Sequence, residues 1–112
     1  MSPRPPSASL QRAAPVFAAL SDETRLYVVA QLCANGPSSI TRLTEGSDVT
    51  RQAVTKHLAV LEDAGLVRGY RAGRERVWEL EPDRLDDARR MLDFISERWD
   101  AALARLKRLV EA

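Results

Sequence analysis

The chain has 112 residues, 45% of them hydrophobic, with 17 Lys and Arg against 16 Asp and Glu and a formal net charge of +1. This is the balance of one globular domain with a modest core, which excludes a disordered chain. The single cysteine, Cys33, excludes an intramolecular disulfide and any paired-thiol metal or redox site.

Residues 1–10 include Pro3, Pro5 and Pro6 and are expected to form a flexible tail, leaving residues 11–112 as the folded domain. The amino terminus has no apolar core segment, so neither a signal peptide nor a membrane anchor is expected. No other long apolar run occurs, and a cytoplasmic protein without a membrane partner is the natural reading. A first helix is expected over 11–20, bent near Pro15, with Val16, Phe17 and Leu20 apolar. Ser21 then reads as an N-cap, with Asp22 and Glu23 in the first turn, where the helix dipole favours acids. The second helix should turn Leu26, Val29, Ala30 and Cys33 inward and stop at Asn35-Gly36-Pro37.

A short helix is predicted from about Ser39 to Glu45, followed by a turn at Gly46-Ser47-Asp48. Thr50 caps the next helix, where Val54, Leu58 and Leu61 recur at helical spacing and face the core. Gly65 stands where a left-handed residue ends a helix. Two helices joined by a tight turn, the second polar on its leading edge, make a helix-turn-helix. Leu66 to Leu80 alternates around Ala72-Gly73 and reads as a hairpin, with Trp78 and Leu80 packing on the helices. Pro82-Asp83 opens a final helix.

The charges are segregated. Residues 51–76 carry six Lys or Arg against three acids, whereas residues 81–100 carry seven acids against four arginines. One face should therefore attract a polyanion. Arg51, Gln52, Thr55 and Lys56 lead the fourth helix outward, and Arg71, Arg74 and Arg76 mark the hairpin tip. Such a helix can enter the major groove of double-stranded DNA while the ribbon lies along phosphates or in the minor groove. Arg reads guanine and Gln reads adenine by paired hydrogen bonds, and the Thr50 and Thr55 hydroxyls can reach the backbone. His57, the only histidine, serves as a phosphate contact or a packing residue, and cannot build a multi-histidine zinc site.

On the last helix, Leu85, Ala88, Leu92, Ile95, Trp99, Ala102, Leu106 and Leu109 form a heptad seam, which Met91, Leu103 and Val110 broaden. A rod about 40 Å long exceeds what the rest of the chain can cover. A twofold homodimer is expected, through Val16, Phe17 and Leu20 of the first helix and Leu92, Ile95, Trp99, Ala102, Leu103 and Leu106 of the terminal helix (about 83–110). Chemistry beyond binding finds no support: there is no glycine-rich phosphate loop, metal-ligand cluster or nucleophile–base spacing. Asp86 and Asp87 read as solvated, and Cys33 as a small buried hydrophobe. No enzyme activity, metal or cofactor is expected, and no motif specifies an inducer.

The stretches FAALSDETRLYVVAQL, RQAVTKHLAVLEDAGLV and AGRERVWEL closely resemble the ArsR/SmtB family of winged helix-turn-helix regulators, over roughly residues 14–110. The resemblance implies a mainly α fold with a small β-hairpin, in the order α-α-α-α-β-β-α. It also implies a dimeric repressor that leaves its operator on a signal. Metal-sensing members place a cysteine pair on the helix that here reads SSITRLTE, and others use histidines on the terminal helix. This chain has neither, so it resembles a branch without those metal sites. Two other readings are a winged helix that binds only protein, and a redox-responsive repressor acting through Cys33.

Overall fold

The computed structural model describes residues 7–111. Its elements run α1 (Ser7–Leu20), α2 (Glu23–Asn35), β1 (Ser38–Ser39), α3 (Ile40–Thr44), α4 (Arg51–Asp63), β2 (Val67–Ala72), β3 (Glu75–Leu80) and α5 (Pro82–Glu111). The expected mainly α fold with a β-hairpin is therefore present, with one strand more. β1 pairs antiparallel with β3, Ser38 opposite Trp78 and Ser39 opposite Val77, giving the sheet order β1-β3-β2. Two residues behind a Gly-Pro breaker are too short to alternate, so no periodicity announces this strand.

The helix ends follow local chemistry. Asp22, not the expected Ser21, caps α2: its carboxylate accepts the Arg25 backbone N–H at 3.0 Å. Ser21 instead closes α1, its hydroxyl donating to the Ala18 carbonyl at 2.7 Å. Thr50 caps α4 as expected, accepting from the Ala53 N–H at 3.1 Å. Gly65 has φ 77°, and the Leu66 N–H then reaches back to the Leu61 carbonyl at 2.9 Å. That six-residue closure needs the left-handed conformation, which glycine adopts without a Cβ clash.

One core lies between the helices and the sheet. Val16, Val28, Val54, Leu58, Leu61 and Leu66 are fully buried there, with Leu32, Leu43, Val67 and Trp78 around them. Each of the large side chains contributes about 1.5–3 kcal/mol by leaving water. Leu80 packs partly buried against the same cluster, as the hairpin reading required.

Several expectations are corrected. α1 begins at Ser7, so residues 7–10 of the expected tail are helical; residues 1–6 lie outside the described residues. α2 buries Val28, Val29 and Leu32, while Leu26 (51% exposed), Ala30 and Cys33 face outward. The stripe of bulkier aliphatics is the one that packs; the expected stripe shared only Val29 with it. Val16, expected at a dimer interface, is 0% exposed and belongs to its own protomer's core, because α1 is folded onto that core. Phe17 and Leu20 also pack partly buried on that core. Asp87 is not simply solvated: it faces α1 and pairs with Arg12 at 3.4 Å.

The heptad seam divides along α5. Leu85, Ala88 and Met91 turn toward the domain, whereas Leu92, Ile95, Trp99, Leu103, Leu106 and Leu109 are exposed. Thirty residues at about 1.5 Å each make a rod of roughly 45 Å. The protomer accordingly measures 66 × 30 × 20 Å, with a radius of gyration of 18.3 Å against the ~13 Å of a compact domain of this size. Among the described residues no helix is long and apolar enough to cross a membrane.

Candidate nucleic-acid interface

α4 presents its surface by simple helical arithmetic. Val54, Leu58 and Leu61 hold one side in the core, which leaves Gln52, Thr55, Lys56 and Ala59 on the outer side. Arg51, at the first helical position, is also exposed but is drawn sideways. Its Nη1 donates to the Thr41 hydroxyl of α3 at 2.8 Å. The Thr55 hydroxyl donates to the Arg51 carbonyl at 2.8 Å, and the Thr50 hydroxyl is engaged in capping.

His57 does not join this outer set. Its side chain is 22% exposed and turns to the start of α2. Its Nδ1 lies 3.4 Å from Arg25 Nη1 and 3.9 Å from the Asp22 carboxylate. The Asp22 carboxyl is held below its ordinary range chiefly by the Arg25 backbone N–H, with the charges of His57 and Arg25 adding to this. His57 thus ties the middle of α4 to the α1–α2 junction.

The hairpin forms the wing. Gly73, φ 65°, makes its turn, and Arg71 stands directly opposite Arg76. Because opposed residues share a face, Val67, Gly69, Arg71, Arg76, Trp78 and Leu80 line one side of the ribbon. Val67, Trp78 and Leu80 reach the core from that side, and the two arginines continue it toward the exposed tip. The Arg76 guanidinium lies over the Trp78 ring, 4.9 Å from its centre. A Cβ at Gly69 would stand 2.9 Å from Arg76 Nε and 3.1 Å from Trp78 Cη2, so glycine leaves the room in which this stack sits.

Arg68, on the opposite side of the ribbon, is neutralised by Glu79 and by Glu81, the latter at 3.0 Å. The Glu79 hydrogen bond, and then the charges of both acids, raise its pKa above the usual arginine value. Arg51, Lys56, Arg71, Arg74 and Arg76, in contrast, make no ion pair within 4.0 Å among the described residues. Three of them converge: Arg51 from α4 and Arg74 and Arg76 from the wing border one cleft of about 240 Å³, shared with Ser39, Ile40, Thr41 and Glu75. Thr41 and Gly69 were not singled out by sequence. Neither carries a local pattern, and their roles arise only when α3 meets α4 and when β2 meets β3.

A family model described as a helix-turn-helix domain matches residues 20–70. A helix-turn-helix-type transcriptional regulator of Mycobacterium tuberculosis is 38% identical over 94 residues, covering 84% of this chain and 84% of the relative. The solved structure of an ArsR-like transcriptional regulator from Rhodococcus sp. RHA1 superposes with a TM-score of 0.72 at 36% identity, covering 91% of this chain and 95% of that one. A winged helix-turn-helix DNA-binding domain from Mycobacterium bovis, described as homodimeric, shares the fold with a TM-score of 0.61 at 21% identity, over 94% of this chain and 95% of that one. An exposed basic helix beside a basic wing, and relatives matched over most of their length, lead to one assignment: the chain belongs to the ArsR/SmtB family of winged helix-turn-helix, DNA-binding transcriptional regulators.

Proposed function

We propose that this regulator is a homodimeric repressor of an inverted-repeat operator, acting in the cytoplasm and without enzymatic activity. The observation that carries the reading is the segregation of two surfaces on one protomer. Gln52, Thr55 and Lys56 stand out from α4 beside a wing whose Arg71, Arg74 and Arg76 make no ion pair among the described residues. The far half of α5 exposes Leu92, Ile95, Trp99, Leu103 and Leu106, an apolar stripe that suits a second copy of the same helix, with Ala102 half-buried beside it. The homodimeric state of the Mycobacterium bovis domain supports that assembly.

Paired subunits place two α4 helices in successive major grooves, so half-sites lie about 34–36 Å apart. Gln52, Thr55 and Lys56 then meet base edges, while the wing arginines meet phosphates or the minor groove. Because SSITRLTE has no cysteine and α5 no histidine, the release signal is not a metal bound at those two positions.

Selection of bound duplexes from a random pool tests this reading. An inverted repeat should emerge, and Gln52→Ala should relax one base position in each half-site. Enrichment of no sequence, or of a single unrepeated site, refutes it.

A further inference from the structure

We propose that Arg51, Arg74 and Arg76 form one clamp for a single phosphate of the DNA backbone, so that Arg51 serves the backbone and not a base edge. This deepens the DNA-binding reading and rests on it.

Three observations converge. The three arginines come from two separate elements yet border the same cleft, about 240 Å³ in volume, large enough for a phosphodiester group with water. Glu75 borders it too, but none of the three arginines pairs with it or with any other carboxylate among the described residues. Three cations that border one cleft and lack counterions there repel one another, and an anion bound in the cleft relieves that repulsion. Finally, two of the three are held in place. Thr41 accepts from Arg51 at 2.8 Å, and the Trp78 ring carries Arg76, in the space left by Gly69. Guanidinium groups suit a phosphate because their N–H groups fork to two of its oxygens.

The tether to Thr41 draws Arg51 away from the outer side of α4. Base reading therefore falls to Gln52, Thr55 and Lys56. The wing and the helix-turn-helix then grip one point on the duplex and act as a unit.

The test measures binding of the full chain to a pool-selected duplex and to a random duplex across a range of salt. Arg51→Ala and Arg74→Ala should each weaken both duplexes about ten- to hundredfold for each subunit bound, the loss expected for a hydrogen bond to a charged group. The double variant should be little weaker than either single one. The salt slope should fall by about one phosphate per subunit in all three. In phosphate-ethylation interference, both single variants should lose the same phosphate. Multiplicative losses, with two different phosphates lost, overturn the proposal. So does an Arg51→Ala protein that spares the random duplex and changes base preference. All three arginines are exposed, and circular dichroism melting of each variant checks that folding is retained. A wild-type protein that ignores every duplex in dilute buffer would instead refute DNA binding itself, before any variant is made.

Discussion

The guanidinium of Arg76 rests on the Trp78 ring, 4.9 Å from its centre, two residues along the same strand. Trp78 is only 5% exposed, so one ring belongs to the core and also supports a wing arginine. Its indole Nε1–H is buried without a hydrogen-bond partner among the described residues. An exposed cation over such a ring, as Arg76 is here, contributes about 0.5–1 kcal/mol. The stability of the wing and the direction of its charge are therefore coupled through this side chain.

Gly69→Ala should disturb that coupling. The new Cβ would meet both Arg76 and Trp78; the arginine can swing aside, but the ring is fixed in the core. A stability loss of about 1 kcal/mol is expected from the overpacking, with weaker binding to any duplex. Thermal melting and fluorescence anisotropy measure the two effects. Unchanged affinity would mean that the pose of Arg76 does not matter.

Thr50→Ala should cost about 1 kcal/mol, because the Ala53 N–H loses its acceptor at the head of α4. Thr50→Ser, which keeps the oxygen, should recover most of it. Urea denaturation reads both, and equal midpoints for the Ala and Ser proteins would contradict the capping role.

Asp22 predicts a pH dependence. Its carboxyl titrates lower in the folded protein than the ~3.9 of an unfolded chain, chiefly through the Arg25 backbone N–H. A depressed carboxyl stabilises the fold above the unfolded value and loses that contribution as pH falls through the lower, folded one. Asp22→Ala should therefore denature earlier than wild type at pH 7. The gap should narrow steadily below about pH 4. A gap that does not change with pH would remove the charge from the explanation.

Trp99→Glu should leave the protomer folded and separate the proposed dimer. Trp99 is 63% exposed in the protomer, so a charge there meets water until a second chain arrives. Sedimentation velocity at micromolar concentration should then show monomers where wild type shows dimers, and affinity for an inverted repeat should fall steeply. A persistent dimer would place the interface elsewhere.

Much of this protein is written in short-range patterns. The Thr50 cap, the Gly65 stop, the Gly73 turn and the inward Val54, Leu58 and Leu61 all depend on residues within one or two turns of each other. Those distances are set by backbone geometry, so spacing alone predicts them. The outward positions of Gln52, Thr55 and Lys56 follow from the same periodicity, and the excess of Arg over acids in residues 51–76 marks the basic surface.

Other features depend on which surfaces meet. α2 offers two apolar stripes of similar spacing, and only contact with its neighbours chose Val28, Val29 and Leu32 over Leu26, Ala30 and Cys33. Val16, expected at a partner chain, is buried in its own core because α1 packs onto the domain. His57 has the sequence context of a DNA contact, yet the arrival of α2 beside α4 turns it to Arg25 and Asp22. The meeting of Arg51, Arg74 and Arg76 is of the same kind. Local periodicity placed each residue on a helix or a ribbon, but only the packing of those elements, driven by burial of one shared core, determined which side chains became neighbours.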